Sequence, residues 1–461
     1  MNLYSVLPLR LQNMLVSFEG NRRMKRRYFN TRFLHWATLL NDSAKWSIES
    51  LEEYRRSKLE EYLVKAFLCS DFWESEMKKV SIDPLKCIKR DPEIFLKSLP
   101  KIDKQLVLKN KRAFLNRKQG KKDYEMVHTS GTTGAGFRFP WSNDAVAAEF
   151  AFIWFRRYHA VTFGSKYGTF NGNKIVPFEQ VSPPFWRFNE PMNQTLFSIF
   201  HFRDDYLPHY IEELKTGGYE FIVGYPSAIT VISNYILNVG EEIRLKAVFP
   251  SSESLYEWQR ESIERAFSCK VYDSYTNGEQ SALIHECSEG SYHNAYEYSY
   301  AEFELLDRSQ KSSLAHILGT SFLNDSIFLI RYKTDDFVEI DDRPCGCGRP
   351  GAIIKRIIGR RDDIIYTKDK RPVGRLDHIF KDAEDLAGAQ IIQKEFGELL
   401  IKYVLNGTRF DSKEIIEREI KERLGDSTEV TFEEVQHLEQ DRSGKIRGVI
   451  SYVRGEFDGY N

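Results

Sequence analysis

An α/β body followed by a smaller α+β lobe is the fold class this sequence predicts, on three observations. Short apolar runs at Tyr219–Val223, Leu245–Phe249 and Lys270–Tyr272 are separated by helical stretches at Tyr206–Leu214, Ala228–Leu237 and Tyr256–Phe267, the alternation of a substantially parallel sheet. Beyond Arg361 the pattern changes to strands around one helix, within about 100 residues, the size of a separate compact unit. Hydrophobic residues make up 41% of the 461, enough for a sizeable core in more than one domain. The predicted division is 1–360 and 361–461.

In chain order, Tyr4 to Phe18 is modestly apolar but interrupted by Pro8, Arg10, Gln12 and Asn13, which makes it too polar to span a bilayer and leaves peripheral membrane contact as the lesser alternative. Arg22, Arg23, Lys25, Arg26 and Arg27 make residues 20–30 strongly basic, and the stretch reads as a solvated connection. From Arg32 to Cys69, charged faces alternate with Leu51, Tyr54, Leu59, Tyr62, Leu63 and Phe67 at helical spacing. Ile82 to Asn116 continues as a largely helical lead-in. Asp144 stands where it would cap a helix carrying Phe150, Ile153, Trp154 and Arg157, and Ala301 to Tyr332 is strand-rich. In the C-terminal unit, Gln390–Gln393, Glu398–Leu405, Val430–Val435 and Ile446–Val453 read as strands. Asp411 to Leu424 reads as one helix, with Asp411 and Glu414 as a capping-box-like start and Gly425 as its stop.

Lys plus Arg number 66 against 67 acids, so charge gives no argument for nucleic acid as a partner. Cys69, Cys87, Cys269, Cys287, Cys345 and Cys347 are dispersed along a chain without a signal peptide and read as reduced, cytoplasmic thiols. Aromatics reach 14%, many between residues 148 and 210, which suits either core or an apolar pocket.

Six patches carry chemistry. Ser130-Gly131-Thr132-Thr133-Gly134 sets glycines among hydroxyls after an apolar residue; small side chains let backbone N–H groups face a polyanion while the hydroxyls add donors, which makes a phosphate loop. A P-loop NTPase is disfavoured, because Ala135 stands where the lysine of that motif would follow the last glycine. Pro250-Ser251-Ser252-Glu253 directly follows a predicted strand, where α/β sheets form ligand crevices. Asp273-Ser274-Tyr275-Thr276-Asn277-Gly278-Glu279 supplies an aromatic plane and a carboxylate four residues apart. Arg331-Tyr332-Lys333-Thr334-Asp335-Asp336 ends a strand with paired acids suited to ribose hydroxyls or a cation. Gly359-Arg360-Arg361-Asp362-Asp363 marks the junction, and Ser443-Gly444-Lys445-Ile446-Arg447 puts a lysine on a glycine turn.

In this order and spacing the set resembles the adenylate-forming enzymes, and within them the phenylacetate–CoA ligase and CapK-like branch, from about residue 120 to the end. Phe170-Asn171-Gly172, Phe197-Ser198 with His201, and Gly224-Tyr225-Pro226-Ser227 are similar to the CapK-like branch in particular. The resemblance implies a large N-terminal domain and a small mobile C-terminal lid. It implies that residues 130–134 hold the ATP phosphates, that Ser252 and Glu253 edge the adenine, that Tyr275 stacks on it and that Glu279 ligates Mg²⁺. Asp336 would hold the ribose hydroxyls with Arg360 close by, Lys445 would bridge carboxylate and phosphate oxygens, and Asp362 would be the hinge. The implied activity joins a small-molecule carboxylic acid to ATP as an acyl-adenylate and passes the acyl group to coenzyme A. The acceptor could instead be an amine, as in surface-polysaccharide or natural-product biosynthesis, and a non-catalytic nucleotide-binding relative is a further reading. A homodimer is compatible with the branch; a transmembrane segment is not expected. Gly278, Asp335 and Ala135 depart from the family pattern, where Ser or Thr, Gly and often Lys stand. The ordinary readings are solvated loop acids for Glu279 and Asp336, an exposed turn lysine for Lys445, core packing for Tyr275 and a hydrogen-bonded structural histidine for His201 rather than one bordering an acyl pocket.

Cys345-Gly346-Cys347 has a tight bite on a glycine turn, and Cys287 with His293 lies some fifty residues earlier. Together they form a Cys₃His set suited to closed, tetrahedral structural zinc, with His285 as the alternative histidine. The ordinary reading is three reduced thiols and a surface histidine.

Overall fold

The computed structural model describes residues 3–453 other than 130–136, 254, 256, 306–313, 342, 344, 358–363, 371, 375–378, 381–382, 384, 406–407, 437 and 439–448. Eight helices open the chain: α1 (Leu9–Arg27), α2 (Thr31–Ser43), α3 (Ile48–Cys69), α4 (Asp71–Val80), α5 (Pro84–Arg90), α6 (Pro92–Ser98), α7 (Lys104–Lys109) and α8 (Lys111–Phe114). Their starts are written locally. Asn30, Ser47, Ser70, Asp83, Asp91 and Asp103 each accept a hydrogen bond from a backbone N–H of the following turn, and Pro84 and Pro92 take the first-turn position that needs no N–H. The basic stretch at residues 20–30 is therefore not a connection: its first eight residues continue α1, because Arg and Lys are good helix formers and no proline intervenes. Leu59, Tyr62, Leu63, Trp73 and Met77 pack with Phe114 around the buried segment Ile327–Ile330. Trp73 Nε1 donates to Phe328 O at 2.8 Å.

A hairpin follows, β1 (Tyr124–Thr129) paired with β2 (Phe137–Ser142), and residues 130–136 lie between its strands. Helix α9 (Asn143–Arg157) is capped by Ser142, whose Oγ accepts Ala145 N–H; Asp144 sits inside the first turn and accepts the indole N–H of Trp36 at 3.1 Å instead. The expected cap was displaced because a serine two residues earlier had the required extended backbone.

The body then builds β3 (Tyr167–Asn171), β4 (Trp186–Asn189), β5 (Gln194–Ser198), α10 (Leu207–Thr216), β6 (Phe221–Gly224), α11 (Pro226–Val239), β7 (Ala247–Pro250), α12 (Glu257–Phe267) and β8 (Lys270–Val271). These strands form a six-stranded sheet in the order β4-β5-β3-β6-β7-β8, parallel from β5 to β8 and edged by antiparallel β4. The predicted strand–helix alternation holds here, with ends shifted by about two residues as end-fraying allows. A second sheet follows: β9 (Ser274–Thr276), β10 (Leu283–Glu286), β11 (Tyr292–Asn294), β12 (Ser299–Leu305), β13 (Leu314–Ser321), β14 (Tyr332–Asp341) and β15 (Ile353–Ile357). It is antiparallel, in the order β12-β13-β14-β15-β11-β10-β9. Helix α9 lies between the two sheets, where its Ala148, Phe152 and Trp154 share one core with Phe221 and Phe249 of the first sheet and Leu283 and Tyr298 beside the second.

The C-terminal part has a hairpin of β16 (Ile364–Tyr366) and β17 (Pro372–Gly374), then β18 (Leu386–Gln393), β19 (Glu398–Leu405), α13 (Lys413–Leu424), β20 (Glu429–Glu434) and β21 (Val449–Ser451). Its four-stranded sheet runs β20-β19-β18-β21 and packs Ile391, Ile401 and Val449 against Ile416, Ile420 and Leu424 of α13 in a core of its own. The expected capping box is absent. Ser412 holds the cap position without a side-chain bond to the helix; its N–H and hydroxyl both donate to Asp385, while Asp411 pairs with Arg409. A contact across 27 residues outcompeted the local one. Gly425 stops the helix as expected, at φ +98°.

The backbones of β3 and β6 approach so closely that a Cβ on Gly224 would lie 2.2 Å from the carbonyl oxygen of Phe170. Gly224→Ala is expected to destabilise the protein by about 1–3 kcal/mol, read as a lowered denaturant midpoint. An unshifted midpoint would contradict the tight strand spacing.

Candidate functional site

In the parallel sheet the strand register brings Asn171, Ser198, Gly224 and Pro250 side by side at the carboxyl edge, the crevice-forming edge of such sheets. Four of the segments singled out in the sequence leave from this edge. Gly172 faces Tyr225, since a Cβ there would sit 3.4 Å from the tyrosine hydroxyl. Ser251 N–H donates to Gly224 O at 2.8 Å, and Ser252 follows in the left-handed region at φ +73°. A serine held there stores about 1–3 kcal/mol of backbone strain, so the Ser251–Glu253 turn is a set conformation rather than a slack loop.

The second sheet carries the other patches. Tyr275 on β9 donates its hydroxyl to Asp336 Oδ2 on β14 at 2.8 Å, and Tyr332 donates to Glu279 Oε1 at 3.1 Å. Between Tyr275 and Glu279 the chain makes a self-contained turn: Asn277 Oδ1 accepts Ser281 N–H at 2.9 Å, Asn277 Nδ2 donates to Ser281 Oγ at 2.7 Å, and Gln280 takes φ +54°. Trp141 Nε1, on β2, donates to Gly278 O at 2.9 Å. The hairpin flanking residues 130–136 is thereby tied to the turn carrying Glu279.

One group here was not foreseen from the sequence. Glu149, buried in α9, accepts Tyr298 OH at 2.6 Å and Gln280 Nε2 at 3.1 Å on the same carboxylate oxygen, and Gln280 Nε2 also reaches Ala145 O. Burial, then the Glu149 charge, pushes the Tyr298 phenol well above its ordinary range, so it stays a donor. Arg156, two turns along the helix, is held down to about 10 by burial, with the Glu149 charge opposing that shift. A lone acid in the apolar run Ala145–Trp154 was the available signal, since a buried carboxylate requires partners.

The structure brings Tyr275, Glu279 and Asp336 together and places Ser252 and Glu253 at the carboxyl edge of the parallel sheet. Ser130, Gly131, Thr132, Thr133, Gly134, Ala135, Arg360, Asp362, Lys445 and the side chain of Asp335 lie outside the described residues. The C-terminal sheet's helix reaches this edge: Lys174, in the loop after β3, pairs with Glu419 and Glu422 of α13, the latter at 2.9 Å. His201 is structural. Its Nδ1 shares a hydrogen with Ser198 Oγ at 2.8 Å, its Nε2 lies 3.1 Å from Pro177 O, and it stacks on Phe185. Phe170, Phe185, Phe197 and Tyr210 of the aromatic-rich stretch are core.

Cys287, His293, Cys345 and Cys347 converge with all four ligand atoms within 4.8 Å of one another, and His285 is not among them. The Cys287 and Cys345 sulfurs are 3.7 Å apart, and Cys347 Sγ is 3.3 Å from His293 Nε2. A tetrahedral zinc with ordinary bond lengths sets these separations at about 3.8 and 3.5 Å; a disulfide would need about 2.05 Å between sulfurs. Burial, with the Arg349 charge second, holds His293 down to about 4, keeping the ring in its neutral, metal-ligating form.

Comparison with known proteins agrees with this layout. Residues 365–452 match the family described as the CapK C-terminal domain. The chain is 28% identical to Protein CapK of Staphylococcus aureus over 98% of its own length and 99% of that protein. Among solved structures it resembles 2-hydroxyisobutyryl-CoA ligase in complex with 2-HIB-AMP and CoA in the thioesterification state, at TM-score 0.56 and 16% identity over 88% of this chain and 91% of that one. The same ligase in the postadenylation state with R3-HIB-AMP gives TM-score 0.51 at 15% identity, over 86% and 88%. The chain is similar to CapK over nearly its whole length, and its fold is that of the CoA ligase.

Because Tyr298 and Gln280 would be left with buried, unmatched donors, Glu149→Ala is expected to cost about 1–3 kcal/mol in unfolding free energy. Glu149→Gln, which keeps an acceptor, is expected to cost less. Equal losses in chemical denaturation would show that the carboxylate's hydrogen bonds do not hold the turn.

Proposed function

We propose that this protein activates a carboxylic acid with ATP, releasing pyrophosphate, and passes the acyl group of the resulting adenylate to a nucleophile, the thiol of coenzyme A. The observation that carries the reading is the meeting of Tyr275 and Asp336, 61 residues apart and 2.8 Å from hydroxyl to carboxylate. Glu279 stands on the same turn as the tyrosine, within reach of Tyr332 on the strand that bears Asp336. An aromatic plane beside a ribose-directed acid and a cation-directed acid is what a nucleotide requires. The CapK-like and CoA-ligase-like character of the chain supports it.

In this reading Tyr275 stacks on the adenine, Asp336 accepts from the ribose hydroxyls with Arg360 nearby, and Ser252 and Glu253 edge the base. Residues 130–134 hold the phosphates; the hairpin that flanks them is tied by the Trp141–Gly278 bond to the turn carrying Glu279. Glu279 holds Mg²⁺, a hard cation that needs only one or two protein carboxylates beside phosphate oxygens; when bound, it offsets charge on the leaving pyrophosphate. A carboxylate oxygen of the acid attacks the α-phosphorus as the bond to pyrophosphate breaks. The small unit, residues 361–461, turns about Asp362 and brings Lys445 to bridge the carboxylate and phosphate oxygens while charge shifts between them. In the second step the thiolate forms a bond to the acyl carbon and AMP leaves with the electron pair. The neighbouring ligase was solved with an acyl-adenylate and CoA together, which favours the thiol acceptor. Cys287, His293, Cys345 and Cys347 hold zinc; four protein ligands leave no open position, so its role is structural.

Carboxylate-dependent ATP–pyrophosphate exchange across a panel of acids, followed by addition of coenzyme A or amines, tests the proposal. Lys445→Ala is expected to lower exchange by at least about a hundredfold while ATP binding persists; undiminished exchange would remove the lysine from the mechanism. No exchange by the wild-type protein with any acid would remove the activity. Elemental analysis is expected to find zinc in the wild-type protein and none in Cys345→Ser/Cys347→Ser, and equal zinc in both would rule out the metal assignment.

A further inference from the structure

Helix α1 is built inside out. Its inward face is polar and caps the edge strand β4. Asn13 Oδ1 accepts Phe188 N–H at 3.1 Å, Ser17 Oγ donates to Phe188 O at 3.3 Å and accepts Glu190 N–H at 3.1 Å, and Gln12 Oε1 accepts Arg187 Nε at 2.6 Å. Gly20 lies against Asn189, so closely that a Cβ there would overlap its side-chain amide. The outward face is apolar: Leu11, Met14, Leu15 and Phe18 are exposed by 43%, 65%, 48% and 72%.

The helical repeat continues that face into base. Leu11, Met14, Leu15, Phe18, Arg22, Lys25 and Arg26 follow one another at three- and four-residue spacing, which places them within about 120° of one side of the helix. The turn beyond exposes Phe29. Residues 1–35 hold seven Lys and Arg against the single acid Glu19, in a chain whose net charge is −1. Apolar and basic side chains are segregated along the axis instead of around it; Lys25 is exposed, and Arg22 and Arg26 are exposed but pair with Glu19 and Glu125 at the surface.

We propose that this face of α1 is an interfacial anchor that seats the protein on an anionic lipid bilayer. Leu11, Met14, Leu15 and Phe18 insert at the headgroup–acyl boundary, while Arg22, Lys25 and Arg26 lie over lipid phosphates with their alkyl stems along the interface. Charge chooses this occupant over a second copy of the chain, whose matching face would carry the same bases. Size agrees, because the apolar stripe is only about 10 Å long, a fraction of what a stable dimer buries. Among the described residues no helix is long and apolar enough to cross a membrane, so the contact is peripheral.

The test is co-sedimentation of the full-length protein with vesicles of phosphatidylcholine alone and of phosphatidylcholine mixed with phosphatidylglycerol. The expected result is pelleting with the anionic vesicles only, weakened by salt. Leu15→Asp/Phe18→Asp and, separately, Arg22→Gln/Lys25→Gln are each expected to lower the partition coefficient by at least about tenfold, with thermal unfolding little changed, since the side chains are exposed and the Arg22–Glu19 pair is a surface one. Failure of the wild-type protein to pellet with anionic vesicles at low salt overturns the proposal. So does binding that both double variants retain, or a wild-type dimer that Leu15→Asp/Phe18→Asp converts to monomer while vesicle binding is absent.

Discussion

A carboxylate buried between two sheets constrains much of what surrounds it. Glu149 sits on α9, the helix shared by both layers, and an ion there costs several kcal/mol unless it is bonded. Tyr298 and Gln280 supply the bonds. Gln280 can do so only because the chain turns back on itself at Asn277 and enters a left-handed conformation. The acid thus dictates the shape of the turn that carries Glu279 on one side and follows Tyr275 on the other. Trp141 closes the arrangement from the hairpin, so the turn is held from α9, from β2 and by itself. The nucleotide site proposed on this turn would inherit its rigidity from the core rather than from the ligand.

The same ladder is clamped at its far end. Ile284 pairs with Tyr275 across β10 and β9, and β10 runs directly into Cys287. The thiol–imidazole cluster therefore joins the end of β10, the start of β11 and the turn before β15, three strands already adjacent in the sheet. The Glu149 network and the cysteine cluster act on opposite ends of one short antiparallel unit. Short strands of three and four residues make few ladder bonds; the Glu149 hydrogen bonds compensate at one end, and the proposed zinc would do so at the other.

What was legible in the sequence followed the range of the interactions. The alternation from Tyr206 to Tyr272 was readable because hydrophobic period and helix caps are local, and the patches at Tyr275, Glu279 and Asp336 were readable because each is a contiguous string. Glu149 was not, since its partners lie 131 and 149 residues away. The start of α13 misled for a similar reason: Asp411 and Glu414 satisfy a local rule, but Ser412 takes the cap position and Asp385 offers it a partner through the fold. The basic stretch after Gly20 misled in the opposite way. Charge suggested a solvated connection, whereas Arg and Lys favour helix and extend α1 by two turns.

That misreading bears on how α1 serves the fold. An edge strand presents unpaired backbone groups that must be covered, and β4 is covered by side-chain amides and hydroxyls of a helix laid along it. Covering hydrogen-bonding groups requires a polar inner face, so the usual amphipathic logic cannot apply to this helix. Its outer face is then under no folding constraint, and the default for an unconstrained exposed face is charge. Four large apolar side chains there leave 43–72% of their surface in water, and that part contributes nothing to the stability of the isolated chain. Their stabilisation has to come from a contact outside it, and the bases that continue the same face determine the sign of the surface that makes that contact.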